Sequence, residues 1–299
     1  MNGTAAQSPL TIWFLAIRPR TLPAAIAPVV VGTALAAQLH DKFSVAAFVA
    51  TAFGALLIQI GTNLANDYSD ARLGADTEER LGPVRVTAGG LVPPKQVLRA
   101  TWGTFAGAFF VGLYLVSISG WPLLIVGVLS ILAGFLYTGG PRPYGYEGLG
   151  EIFVFIFFGL VSVCGTYYVQ TVTLDWEAVA ASIPVGLLAA AILIVNNVRD
   201  MDTDRKAGKR TLAVRIGRSN TRNFYAVIVL ASFPLALLPW VFGSLGPTLM
   251  LSWLALPLAA APIRTVRTNT DGPALNECLA ATAKLELAFC ALLSVGILI

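Results

Sequence analysis

The sequence is poor in charge, histidine and cysteine, and each shortage excludes a class of protein. Only 12% of its 299 residues are charged, about half of the roughly 25% that soluble domains carry. His40 is its only histidine and its three cysteines lack C-x-x-C spacing, so a zinc site or a catalytic histidine triad cannot be built from it. The first ten residues lack a basic segment leading into an apolar core, so no cleaved signal peptide is expected.

Apolar sequence is abundant instead. Hydrophobic residues make up 56% of the chain, and mean hydropathy is +0.74. A spanning helix needs about 20 apolar residues, and such runs lie at 22–39, 43–65, 97–119, 121–138, 149–171, 179–198, 223–243, 247–263 and 279–299. The sequence therefore predicts an all-α, polytopic membrane protein with nine transmembrane helices, forming one membrane-embedded domain over residues 1–299. Neither a nucleic-acid partner nor a defined oligomer is indicated.

The basic residues are distributed unequally between the two sides of this arrangement. Eighteen of the 20 lysines and arginines fall in segments on the N-terminal side of the membrane, Lys42 lies on the other side, and Lys284 lies inside the last span. Because cytoplasmic loops are enriched in lysine and arginine, the N-terminus is predicted to be cytoplasmic. An odd number of spans then places the C-terminus on the opposite side of the cell membrane.

Two acidic segments, 63–70 and 196–204, each begin with asparagine followed four residues later by aspartate. Each lies at the cytoplasmic end of an apolar span, and four spans separate them along the chain. The two host helices therefore run in the same direction, as in a degenerate parallel repeat. We expect the two segments to meet at one membrane face.

The spacing of the carboxylates indicates a metal site. Asp67 and Asp70 are three residues apart and Asp200 and Asp204 are four apart, so each pair shares one helix face if the helix continues. Repulsion within such a pair is relieved by a divalent cation. Only oxygen ligands are present, which favours Mg²⁺, an ion that binds through one or two carboxylates plus substrate phosphates. The alternative is a pair of solvated helix ends.

A basic, glycine-containing stretch follows each acidic segment, at 80–87 and 205–211. Arginine and lysine beside glycine-permitted turns suit phosphate groups, although cytoplasmic loops are basic for other reasons as well. Carboxylates for Mg²⁺ beside a basic lid, at the surface of an apolar protein, indicate an enzyme that acts on a lipid diphosphate.

These motifs resemble the UbiA superfamily of intramembrane aromatic prenyltransferases. The resemblance covers nearly the whole chain and is carried by residues 18–23, 66–85, 137–141 and 197–204. It is closest to the branch that prenylates 1,4-dihydroxy-2-naphthoate in menaquinone biosynthesis. The commoner family pattern N-D-x-x-D-x-x-x-D is broken here, because Gly74 replaces its last aspartate and Asp76 follows two residues later.

The resemblance implies nine helices around a central chamber, with Mg²⁺ as cofactor. It also implies transfer of a polyprenyl chain from a polyprenyl diphosphate to an aromatic acid, with decarboxylation. The ring of the second substrate is expected to be dihydroxynaphthoate, with 4-hydroxybenzoate as the alternative acceptor. The loops 67–96 and 199–222 are expected to cap the active site.

Roles for individual residues follow from the motifs and the resemblance together. The expected catalytic carboxylates and metal ligands are Asp67, Asp70, Asp200 and Asp204, with Asp76 as a further metal ligand. The expected substrate-binding residues are Asn63, Asn66, Tyr68, Arg72, Arg80, Arg85, Tyr137, Asn196, Lys206, Lys209 and Arg210. Lys284 is interpreted as snorkelling to the membrane surface, or else as binding the carboxylate of the aromatic acid.

A different class of function remains open at this point. Intramembrane carboxylates often mark ion pathways, so a cation-coupled transporter is the rival hypothesis. Transporters commonly have inverted repeats and midplane charges, whereas the repeat here is parallel and its carboxylates lie at one surface. A purely structural membrane subunit leaves the two matched clusters unexplained.

Overall fold

The structure is a computed structural model that describes residues 8–74, 81–82 and 85–299. Its helices, numbered α1 to α11 in chain order, are Pro9–Ile17, Pro23–His40, Val45–Arg72, Pro94–Ser119, Pro122–Leu136, Gly150–Thr171, Trp176–Lys206, Leu212–Ile216, Arg218–Val241, the bent pair Pro247–Ala255 with Pro257–Thr268, and Gly272–Leu298.

Each of the nine predicted spans coincides with one of these helices. In the part of the chain that the structure describes, seven helices are long and apolar enough to cross a membrane, and the bent pair α10 provides an eighth. The ninth, α5, has 15 residues and is therefore about 22 Å long, which is shorter than the roughly 30 Å hydrocarbon core. The prediction of an all-α, polytopic membrane protein is confirmed.

Two helices continue well past the end of their apolar runs. The predicted spans end at 65 and 198, but α3 continues to Arg72 and α7 to Lys206. Charged side chains end an apolar run without ending the backbone hydrogen bonding of a helix. Both acidic segments are consequently helical, as their spacing required.

The long helix α7 is the most buried of the spans. On one side it packs with α2, α9 and α11 in a continuous apolar core. On its other side it borders a largely apolar cavity of about 330 Å³ that α2 to α6 complete. This cavity, called the chamber below, corresponds to the predicted central chamber.

Glycines allow a close approach of the two backbones where α6 meets α7. A Cβ atom added to Gly186 would lie 2.7 Å from the Phe155 carbonyl oxygen, and one added to Gly159 would lie 2.6 Å from the Gly186 Cα. The α6 backbone is π-helical there, over Phe155–Val161. The sequence offers Gly103 and Gly107 as further sites of close helix contact. Gly103 borders open space, whereas Gly107 faces Leu57 of α3, where an added Cβ would make an ordinary contact.

The end of the molecule opposite the acidic segments is held by a small polar cluster. His40 Nε2 lies 2.6 Å from the Asp175 carboxylate, which also accepts a hydrogen bond from the Tyr167 hydroxyl. These two contacts, that of Tyr167 being the larger, hold the pKa of Asp175 below its usual range. The cluster connects the end of α2 to the turn between α6 and α7, and it includes the only histidine of the chain.

Candidate active site

The two acidic segments meet around the side chain of Lys209. Its ammonium nitrogen lies 3.2 Å from Oδ1 of Asp70 in the first segment and 4.0 Å from Oδ1 of Asp204 in the second. The Asp70 carboxylate is 1% exposed and also binds Arg85 Nη2 at 2.7 Å and the Tyr146 hydroxyl at 2.6 Å. The aspartates are therefore brought together, as expected, by a cation that follows the second segment.

Asp67 holds the loop that carries Arg85. Its two carboxylate oxygens accept hydrogen bonds from the backbone N–H groups of Val86, at 3.0 Å, and Thr87, at 2.9 Å. The carboxylate is buried one helical turn from Asp70. The first acidic segment thus fixes the loop through Asp67 and the arginine itself through Asp70.

Asp200 is held by its own neighbour in sequence. Arg199 Nε lies 2.8 Å from Oδ1 and Arg199 Nη2 lies 2.6 Å from Oδ2 of this carboxylate. The same guanidinium donates to the side-chain oxygens of Asn196 and Asn276. Because charge-assisted, bidentate pairs are geometrically specific, Arg199 orients the Asp200 carboxylate, a role that we did not predict for it.

The asparagines contribute by fixing neighbouring segments. Asn63 Nδ2 donates to the Ile17 carbonyl at 2.9 Å and to Thr21 Oγ1 at 3.2 Å, which places the turn after α1 against α3. Asn66 Oδ1 accepts from Thr138 Oγ1 at 2.8 Å and so holds the end of α5 in the same way.

Four of the expected substrate-binding residues lie away from this site. Arg72 is exposed at the last turn of α3 and donates to the Tyr68 hydroxyl. Neither residue lines the chamber or the polar cavity that adjoins it. Lys206 and Arg210 are exposed as well. Asp76 and Arg80 lie outside the described residues.

Two further residues lie at the site, and one of them, Glu151, was not expected. Tyr146 comes from the loop after α5 and bonds Asp70, while its ring lies 4.6 Å from Lys209 Nζ. Glu151 is buried in α6 and accepts from Asn197 Nδ2 at 2.8 Å. A signal was present for Glu151, because a carboxylate inside an apolar span marks a functional position by default.

Two cavities meet at the site. A polar cavity of about 60 Å³ lies among Asp70, Arg85, Asp200, Asp204 and Lys209 and adjoins the apolar chamber. Both cavities are lined by Arg18, Asn66, Tyr137 and Asn196. We call this shared set the neck. The arrangement offers a polar cavity for an anionic head group next to an apolar chamber for an attached apolar chain.

The donor set fits Mg²⁺ shared with a bound anion. Within the described ranges no group of three or more histidine, cysteine or acidic side chains forms a preformed metal cage. Mg²⁺ does not require one, because it is usually held by one or two carboxylates together with phosphates and water. Three aspartates, Asp70, Asp200 and Asp204, line the polar cavity and can supply such ligands, whereas Asp67 is not among the residues that line it.

Comparison with known proteins gives a consistent result. The family model described as "UbiA prenyltransferase family" matches residues 25–292. The 1,4-dihydroxy-2-naphthoate octaprenyltransferase of Mycobacterium tuberculosis is 42% identical, with 89% of this chain and 90% of that protein covered. The Escherichia coli protein of the same name is 40% identical over 91% and 90%. Human UbiA prenyltransferase domain-containing protein 1 is 31% identical over 92% and 80%.

Solved structures show the same fold at low identity. A UbiA homolog from Archaeoglobus fulgidus bound to GPP and Mg²⁺ superposes with a TM-score of 0.64 at 13% identity, covering 95% of this chain and 99% of that one. The apo UbiA homolog from Aeropyrum pernix gives 0.66 at 15% identity over 94% and 97%.

Proposed function

This chain belongs to the UbiA prenyltransferase family, and we propose that it transfers a polyprenyl chain from a polyprenyl diphosphate to 1,4-dihydroxy-2-naphthoate. One observation supports locating the reaction where the two cavities meet. Lys209 joins Asp70 and Asp204 at a polar cavity that adjoins an apolar chamber. The acceptor follows from the names of relatives that match along nearly their whole length.

The charged residues at the polar cavity act on the diphosphate. Arg85 and Lys209 neutralise the diphosphate as the carbon–oxygen bond breaks and its electron pair leaves with the diphosphate. Asp70, Asp200 and Asp204, which line the polar cavity, would hold Mg²⁺, which when bound supplies further neutralisation of the leaving group. Asp67 would join them only by giving up a hydrogen bond from the backbone of Val86 or Thr87. Asp76 is a further candidate ligand.

The apolar chamber surrounds the allylic cation and the acceptor ring that reacts with it. Its apolar walls exclude water from the allylic cation. Tyr137 lines both cavities and is our candidate for stabilising that cation through its aromatic ring. The acceptor ring forms the new carbon–carbon bond, and its carboxylate leaves as CO₂ with the bonding electrons returned to the ring. The product is a prenylated naphthoquinol.

The loops complete this arrangement. Asp67 and Asp70 hold the segment at Arg85–Thr87 over the site, and the backbone N–H of Arg210 donates to the Tyr146 carbonyl at 2.8 Å. The predicted capping loops 67–96 and 199–222 begin within helices, because α3 continues to Arg72 and α7 to Lys206. We infer that the described residues of these ranges beyond the two helices cap one membrane-embedded domain. The strong excess of basic residues on this side supports a cytoplasmic N-terminus and a C-terminus on the opposite side.

A product assay tests the proposal. Purified protein in detergent is incubated with geranylgeranyl diphosphate and an equimolar mixture of 1,4-dihydroxy-2-naphthoate and 4-hydroxybenzoate, with Mg²⁺ or with EDTA. Mass spectrometry is expected to find the decarboxylated, prenylated naphthoquinol with Mg²⁺ and no product with EDTA. Prenylated hydroxybenzoate as the main product would overturn the choice of acceptor. Cation flux in proteoliposomes without any prenylated lipid would favour the transporter.

A further inference from the structure

Glu151 is a buried carboxylate that belongs to neither acidic segment and that the proposed reaction leaves without a role. It lies in the first turn of α6 and is 5% exposed. Its Oε1 accepts from Asn197 Nδ2 at 2.8 Å, whereas its Oε2 is buried without a hydrogen-bond partner among the described residues. Burying a carboxylate with an unpaired oxygen costs free energy. Such a cost indicates a role in the neighbouring site.

The charge of Glu151 fixes the orientation of the Asn197 amide. A helix N-terminus favours negative charge in its first turn, which is where Glu151 lies. Because an ionised carboxylate only accepts hydrogen bonds, the amide nitrogen of Asn197 faces Glu151. The amide oxygen is left over, and within the part of the chain that the structure describes it has no hydrogen-bond partner.

Asn197 shares a face of α7 with two aspartates of the second acidic segment. Residues 197, 200 and 204 are separated by three and four positions, a spacing that places them on one side of a helix. All three line the polar cavity, and Asn197 does not line the apolar chamber. The three side chains therefore supply a row of oxygen atoms along one wall of the polar cavity.

The atom that remains available on Asn197 decides which ligand it serves. The amide nitrogen, which could donate to a phosphate, is already bonded to Glu151. The amide oxygen repels the oxygens of a diphosphate, but oxygen is the ligand that hard divalent cations take. Beside Asp200 and Asp204 in the polar cavity, the matching ligand is a divalent cation together with its bound water.

We propose that Asn197 is a further oxygen ligand of the Mg²⁺ site and that Glu151 positions it, which rests on the proposed function. Glu151 lines neither cavity, so it acts through the Asn197 amide across the contact between α6 and α7. Residues that orient metal ligands in this way typically change metal affinity by about 10- to 100-fold when they are replaced.

Metal binding without turnover tests the proposal. Mn²⁺, which takes the same oxygen ligands as Mg²⁺, is titrated into metal-free protein in detergent with a non-reactive thiodiphosphate analogue of geranylgeranyl diphosphate. Electron paramagnetic resonance measures the free Mn²⁺. Asn197→Ala and Glu151→Leu are each expected to raise the Mn²⁺ dissociation constant about 10- to 100-fold.

Glu177→Leu is the matched control for Glu151→Leu. Glu177 also lies in the first turn of a spanning helix, where it accepts hydrogen bonds from Ser244, but it does so at the opposite end of the molecule. Its replacement removes the same side chain and the same kind of contact. The Mn²⁺ dissociation constant of Glu177→Leu should stay within about twofold of wild type, because this residue is remote from the metal site.

Reversing the pair separates metal positioning from structural support. In the double variant Glu151→Gln with Asn197→Asp, the new amide at position 151 donates to the new carboxylate at position 197. The hydrogen bond between α6 and α7 is retained, while the oxygen left for the cavity gains negative charge. Mn²⁺ should therefore bind at least as tightly as in wild type. Thermal unfolding of the metal-free proteins measures the structural contribution of the pair separately.

Three results would overturn the proposal. They are wild-type Mn²⁺ affinity in Asn197→Ala, a destabilised Glu151→Leu that binds Mn²⁺ normally, and a reversed pair that binds as weakly as Asn197→Ala. The Mn²⁺ titration requires neither an acceptor nor turnover. A wild type that makes no prenylated naphthoquinol in the product assay would therefore refute the proposed function, a result distinct from these three.

Discussion

Asp70→Asn is expected to lower kcat for prenyl transfer by about 100- to 1,000-fold, the range seen when one preorganised electrostatic contact is removed from an active site. The carboxylate is buried and binds Arg85, Tyr146 and Lys209 at once. Asparagine keeps the size of the side chain and removes the negative charge that compensates Arg85 and Lys209 and that we propose holds Mg²⁺. The rate of prenylated product formation under saturating substrates measures the effect.

Asp202→Asn is the matched control for this substitution. Asp202 lies within the second acidic segment, but its side chain is 67% exposed and pairs with Arg218 at 2.7 Å on the surface. The kcat of Asp202→Asn should remain within about twofold of wild type, since exposed ion pairs contribute little to the stability of the fold. Thermal unfolding in detergent shows whether Asp70→Asn, which leaves two buried cations less compensated, remains folded. A folded Asp70→Asn enzyme with near wild-type kcat would refute the site.

Lys209→Met should reduce kcat by about a hundredfold, because it removes the cation that we propose neutralises the leaving diphosphate. Lys209 is 8% exposed and lies between Asp70 and Asp204. The same assay, run over a range of geranylgeranyl diphosphate concentrations, should also show weaker saturation. Lys209→Arg should be more active than Lys209→Met but less active than wild type, since a planar guanidinium does not reproduce the compact ammonium group.

Lys206→Met is the matched control for Lys209→Met, because the sequence alone does not show which of the two lysines acts at the site. Both lysines belong to the basic stretch 205–211, but Lys206 is exposed and lies outside both cavities. We expect its kcat to change less than about threefold, as for an exposed charge. Equal losses in the two variants would mean that this stretch acts through its total charge rather than through one positioned lysine.

The fold was predictable from the sequence because spanning helices depend on long apolar runs, which composition reveals directly. The short α1, Pro9–Ile17, was missed because nine residues are too few to span a membrane. The bend in α10 was missed as well. It falls between Ala255 and Pro257 and measures 46°, and proline alone does not fix such an angle in a membrane bundle.

The acidic half of the site was predictable because helical spacing fixes which carboxylates share a face. The basic half was not, since it depends on how loops return over the helix ends. Gly208 has a φ of 75°, and this left-handed turn lets the Lys209 N–H donate to the Asp204 carbonyl at 2.8 Å. The chain thereby reverses and brings Lys209 into the polar cavity, whereas Lys206 stays on the exposed face of α7.

The central claim is that the two acidic segments form one diphosphate site, and a double-mutant cycle tests it most directly. Affinity for a non-reactive thiodiphosphate analogue of geranylgeranyl diphosphate is measured with Mg²⁺ for wild type, Asp70→Asn, Asp204→Asn and the double variant. Since both carboxylates share Lys209 and the same ligand, the double variant should bind within about threefold of the weaker single variant. Losses that multiply, or a single variant that binds like wild type, would contradict a shared site.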